Sequence, residues 1–256
     1  MPIRRMALPA VVLALAAGLL APLSALAQTG PGPGGRAPYD RGRDDNVPGR
    51  FDYYALVLSW SPTYCASRDG DRDDQQCNRR DGRRFAFVLH GLWPQHERGW
   101  PQDCRTRERP FVPDRLIDSM LDIMPSRRLV IHEYRKHGTC SGLSPEGYYG
   151  LSRRLFTSVK IPPRFVMPND YFTTSPEEVV GAFVDANPEL KPDMLGVACG
   201  GPGNRMREVR ICFTRDGEPT RCGRNEEQSR LCRSPRIQVP PARSGAPPRS
   251  SPGRRI

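Results

Sequence analysis

Eight cysteines constrain this chain more than any other feature: Cys65, Cys77, Cys104, Cys140, Cys199, Cys212, Cys222 and Cys232. All lie beyond an N-terminal segment (1–27) built like an export leader. Arg4 and Arg5 are followed by an apolar run over 8–20, and Ala25-Leu26-Ala27 is a small-residue cleavage site. An even cysteine count in an exported chain argues for four disulfides formed in an oxidising compartment, periplasmic or extracellular. The alternative of a zinc site is weak, because no Cys-x-x-Cys pair occurs. About a hundred pairings of eight cysteines are possible, and spacing alone does not choose among them. The apolar run is short for a membrane span, so an uncleaved anchor is the poorer reading. No later stretch is long and apolar enough to cross a bilayer. A monomeric chain with no stable membrane association after leader cleavage is expected.

The formal net charge is +11, or +9 once the two leader arginines are set aside. A basic exported chain suggests an anionic partner such as nucleic acid, and arginine in particular grips phosphate through paired hydrogen bonds. Residues 28–49 are rich in Gly, Pro, Arg and Asp and read as a disordered linker. Residues 233–256 carry arginine and proline without a single acid and read as an unstructured basic tail. One globular domain is therefore expected over 50–232. Within it, 53–60, 85–90 and 208–214 are rich in strand formers, the last followed by the turn signal Asp216-Gly217. Apolar residues recur at helical spacing over 113–124 and 145–159. Ser175-Pro176-Glu177-Glu178 is a capping box that starts a helix over 176–186. Strands and helices mix without regular alternation, which predicts an α+β fold: a central antiparallel sheet flanked by helices and linked by disulfides.

Three of the four histidines fall in two unusual settings. In Phe85-Ala86-Phe87-Val88-Leu89-His90-Gly91-Leu92-Trp93-Pro94, a strand delivers His90 to a glycine where the backbone is expected to turn, with an aromatic shelf at Trp93. In Ile131-His132-Glu133-Tyr134-Arg135-Lys136-His137-Gly138, helical geometry at roughly 100° per residue puts His132 beside Lys136 and Glu133 beside His137. Gly138 is the expected helix stop. One face then carries two imidazoles, a carboxylate and an ammonium. That set suits phosphoryl chemistry on RNA without a metal. One imidazole takes the proton of the 2′-hydroxyl, the other protonates the departing 5′-oxygen, and fixed positive charge holds the non-bridging oxygens. Glu133 can orient an imidazole or keep it charged. The competing zinc-protease reading needs two histidines four apart; here they are five apart, with Lys136 between them.

The segments LHGLWP and HEYRKHGTC resemble the two active-site signatures of the T2 family of ribonucleases. Residues 59–65 resemble the family's first strand and 208–212 its late strand, so the likeness spans roughly 52–232. The arrangement is most similar to the bacterial, periplasmic members. The resemblance implies an endoribonuclease that works through a 2′,3′-cyclic phosphate, with no cofactor and no metal. In the first step His137 is the implied base and His90 the acid. It further implies that His132 binds phosphate, that Glu133 and Lys136 stabilise the transition state, and that Trp93 stacks on a base. Tyr134 stands where many members have Trp. Gln95 stands where some have an Asp that helps read the base, so weak base selectivity is expected. His96 lies outside the pattern. The implied disulfides are Cys65 with Cys77, Cys104 with Cys140, Cys199 with Cys232 and Cys212 with Cys222. A non-catalytic binder of RNA or anionic glycans is the second hypothesis. The combination of two histidines with Glu133 argues against it.

Overall fold

The computed structural model describes residues 46–242. The leader and most of the linker, like the end of the basic tail, lie outside the described residues. A six-stranded sheet organises the fold, in the order β2-β1-β5-β6-β3, with β4 on the other edge of β5. The strands are β1 (Tyr53–Trp60), β2 (Phe87–Gln95), β3 (Phe172–Thr174), β4 (Leu195–Gly200), β5 (Arg205–Phe213) and β6 (Ile237–Val239). Pairing is antiparallel except at the single parallel contact of β5 with β6, Arg205 to Gln238. The central antiparallel sheet flanked by helices is as expected.

Strand β1 is buried on both faces, as its nearly unbroken apolar run requires. The helices are α1 (Ser61–Cys65), α2 (Asp114–Met120), α3 (Arg127–Glu133), α4 (Thr139–Ser141), α5 (Pro145–Ser158), α6 (Pro176–Ala186) and α7 (Gln228–Leu231). The capping box of α6 is made as its sequence suggests, with Ser175 accepting from the Glu178 N–H and the Glu178 carboxylate reaching back. Helix α2 stops at Met120, short of the expected 124, although Met124 stays in the core. Strand β2 lies at the sheet edge, where its outward backbone groups would be unpaired. They are covered instead: the Leu89 N–H donates to the Ile123 carbonyl (2.8 Å), and the Tyr148 hydroxyl of α5 donates to the Leu92 carbonyl (2.9 Å).

All four disulfides carry the pairing that the family resemblance implies: 65–77, 104–140, 199–232 and 212–222. Both domain boundaries move outward. At the N-terminal side, the Asn46 side chain accepts from the Gln102 N–H, and the Gly49 N–H donates to the Cys140 carbonyl. At the C-terminal side, residues 237–242 of the supposed tail pack against the domain. Ile237 and Val239 are fully buried, and the Trp60 indole donates to the Pro240 carbonyl (3.1 Å). The composition of 233–256 hides these few apolar residues, whose partners are far away in sequence.

Ile237→Ala is expected to cost about 2–5 kcal/mol, the range for emptying a fully packed core position. Arg236→Ala, at an exposed neighbour, should change little. The denaturant midpoints of the two variants measure the difference.

Candidate active site

Strand β2 does not turn at Gly91. Val57 of β1 faces Gly91 while Leu58 faces Leu89, so His90 is an extra residue and the strand runs on to Gln95. A bulge of this kind re-aims a side chain, a device common beside active sites. The glycine is needed for space. A Cβ on Gly91 would lie 1.9 Å from the Glu133 Oε2 and 2.7 Å from the Trp93 Nε1. The second histidine segment is also irregular. Helix α3 passes at Glu133 into one π-helical turn, Tyr134–Gly138, and continues through α4 to Gly142, the left-handed residue that ends it. Gly138 is therefore not the stop. Its bare Cα lets the Tyr134 ring lie against the backbone, where a Cβ would meet the ring at 2.4 Å. A π turn aligns residues five apart, so His132 and His137 straddle it and line one cleft.

That cleft, of about 260 Å³, is lined by His90, Trp93, Gln95, Trp100, His132, Glu133, Lys136, His137 and Arg210. Every site residue named from the sequence is present. The two imidazoles flank the Trp93 ring: His137 stacks on it at 5.0 Å, and His90 meets it edge-on at 5.2 Å. The indole N–H donates to the Glu133 Oε2 (2.7 Å). Glu133 serves His90, whose Nε2 lies 3.7 Å from its Oε1. It is not a partner of His137, whose Nδ1 is buried without a hydrogen bond among the described residues.

Three residues that sequence reasoning did not single out complete the site. The Glu208 carboxylate accepts from the His90 Nδ1 at 3.1 Å. Arg210, two positions on and thus on the same face of β5, binds Glu208 through its Nε (3.2 Å) and a terminal nitrogen (2.9 Å). Its other terminal nitrogen reaches Glu226 (3.4 Å), which receives the Tyr53 hydroxyl. The guanidinium also lies over Trp93, 4.9 Å from the ring centre. The signal for this pair was the alternation of Glu208 and Arg210 with apolar Val209 and Ile211. Trp100, the third addition, is half exposed.

The electrostatics separate the two catalytic candidates. Burial would pull the His90 pKa down, but the Glu208 hydrogen bond and the charges of Glu133 and Glu208 outweigh it, and the value rises above that of an ordinary histidine. Burial, with Lys136 and the other imidazoles adding repulsion, pushes His137 down to about 3. Burial and Lys136 also lower His132. Burial raises Glu133. It would raise Glu208 too, but His90 and Arg210 hold that carboxyl at about 2. Environments that push two titratable groups apart mark an acid and a base. Among the described residues, no three His, Cys, Asp or Glu side chains are grouped to hold a metal ion.

The sequence model of the Ribonuclease T2 family matches residues 51–222. The chain belongs to the ribonuclease T2 family. As a T2 ribonuclease it is an endonuclease of RNA. A ribonuclease of Aeromonas hydrophila is 39% identical over 185 residues, covering 71% of this chain and 80% of that protein. Ribonuclease I of Escherichia coli K12 is 26% identical over 206 residues, covering 66% and 77%. The crystal structure of RNase NT in complex with 5′-AMP superposes with a TM-score of 0.58 at 24% identity, covering 75% of this chain and 99% of that one. At that identity the superposition speaks for the T2 fold alone.

Gly91→Ala is expected to displace the Glu133 carboxylate and lower kcat by about 100-fold, the scale of an ångström-sized misplacement, while the far-UV spectrum is retained. Turnover near that of the parent protein would show that the position of Glu133 is unimportant.

Proposed function

We propose that this T2 ribonuclease cleaves single-stranded RNA with little base preference, by metal-independent histidine acid-base transphosphorylation through a 2′,3′-cyclic phosphate. One observation carries the reading: two imidazoles in opposite electrostatic states face one cleft beside Lys136. His137, neutral at any working pH, takes the proton of the 2′-hydroxyl as that oxygen attacks phosphorus. His90, held protonated, gives its proton to the 5′-oxygen as the P–O bond breaks. Its Nδ1 is occupied by Glu208, so the proton leaves from Nε2. The Lys136 ammonium and a neutral His132 bind the non-bridging oxygens as charge builds. Hydrolysis of the cyclic phosphate reverses the two roles.

Trp93 is reassigned. With His137 stacked on it and Arg210 over it, the ring supports the catalytic groups and offers little surface to a base. Trp100 takes over the stacking role, which suits an exposed aromatic side chain at the mouth of a nucleic-acid cleft. Gln95 is buried, and its Oε1 already accepts from Asn225 (3.0 Å), which fits weak base discrimination. Four disulfides and bacterial relatives favour export to the periplasm or the medium. Among the described residues no helix is long and apolar enough to cross a membrane.

Purified protein incubated with a dinucleotide in excess chelator should yield the cyclic phosphate. Activity abolished by chelation would end the metal-free reading. Tight RNA binding without this product would favour the binder instead. His90→Ala and His137→Ala should each slow the reaction by more than ~100-fold, the scale of general acid-base catalysis.

The pH profile of kcat/KM follows from the two shifts. The acid limb should lie near 3, where His137 becomes protonated. The alkaline limb should lie above the ordinary histidine value, where His90 loses its proton. Glu208→Gln removes a charge that favours the imidazolium and leaves burial to act, so this limb should move to lower pH with KM nearly unchanged. An unmoved limb would remove Glu208 from the mechanism.

A further inference from the structure

Two sets of arginines contrast in their surroundings. Arg79, Arg127, Arg153 and Arg210 each pair with one or more carboxylates. Arg105, Arg107, Arg109 and Arg135 line a single open depression of about 580 Å³. Among the described residues, none of these four lies within ion-pair distance of a carboxylate. All four are exposed. Asp103 and Glu108 share the lining, so the depression keeps an excess of positive charge. Unpaired guanidiniums crowded into one concavity repel one another, and an anion relieves that repulsion.

The position of the depression selects the anion. The loop that carries Trp100 into the catalytic cleft turns at Asp103, a left-handed residue (φ 52°), and then presents Arg105, Arg107 and Arg109. That turn is fastened to the histidine helix twice. The Asp103 N–H donates to the Lys136 carbonyl (2.8 Å), and Cys104 is bonded to Cys140. Arg135 directly precedes Lys136 in sequence, so the depression adjoins the site where the scissile phosphate is held. A polymer with one base at Trp100 and its phosphate at Lys136 extends onto this loop. The lining has no aromatic ring, so it suits backbone phosphates, which the guanidinium fork grips well, and not bases.

We propose that Arg105, Arg107, Arg109 and Arg135 form a phosphate-binding track for single-stranded RNA leading out of the catalytic cleft, through which the enzyme favours polymeric RNA over dinucleotides. The proposal rests on the ribonuclease reading given above. It is tested by measuring kcat/KM on poly(U) and on a dinucleotide across about 50–200 mM salt, where single-stranded binding changes by about 0.7 in log–log slope per phosphate contact.

The triple variant Arg105→Ser, Arg107→Ser, Arg109→Ser should flatten the poly(U) slope by about 2. It should raise KM for the polymer and leave dinucleotide kinetics unchanged. The corresponding triple lysine variant should restore most of the slope. Arg135→Ser alone should flatten it by about 0.7. A poly(U) slope unchanged in both serine variants would overturn the track, as would an equal loss on the dinucleotide, which would signal a disturbed loop. Failure of the unaltered protein to cut either substrate would instead bring down the ribonuclease reading itself.

Discussion

A carboxylate can be taken out of water only if its charge is matched and its oxygens find donors. This fold brings three together behind one cleft. Glu133 and Glu226 are buried, and Glu208 is nearly so. They alternate with cations along one line: Glu133, His90, Glu208, Arg210, Glu226. The proton on His90 lies between two of these carboxylates, and its departure leaves them facing each other across a neutral ring. The same row that makes the buried acids tolerable therefore keeps His90 charged. His137 has no carboxylate of its own and stays neutral.

Two departures from regular secondary structure place the histidines of the cleft. The bulge in β2 turns His90 toward β5, where Glu208 waits. The π turn after α3 holds His132 and His137 on one side although they are five residues apart. The irregular segments meet where Gly91 backs onto Glu133, and the missing Cβ is what allows that approach. Tyr148 satisfies the strand just beyond the bulge, and Tyr134, the aromatic swap noted in the sequence, sends its hydroxyl to the Leu143 carbonyl (3.1 Å). The distortions are thus held by packing and hydrogen bonds and do not depend on the substrate.

Much of this was legible in the sequence because it follows local rules. The strand over 53–60 and the helix over 176–186 appear with the expected bounds, set by apolar runs and a capping box. The five catalytic candidates share a cleft because two short segments carry them all. What could not be read depends on contacts distant in sequence. Glu208 and Arg210 looked like the polar alternation of an ordinary strand, since their partners are 118 and 16 residues away. The reading of Trp93 changed because the His137 ring stacked on it and the Arg210 guanidinium over it come from other elements. The bulge and the π turn break the very periodicities used to read strands and helices. Strand β6 has only three residues, set among Pro and Arg, and its antiparallel partner is β3.

That short last strand has a consequence for how the protein is made. Among the described residues strand β3 has no other strand partner, and the core lacks Ile237 and Val239 until β6 arrives. A chain delivered N-terminus first exposes both histidine segments long before it possesses the residues that close its interior. The sheet beside the cleft is therefore completed only after β6 has joined it, well after both histidine segments have been delivered.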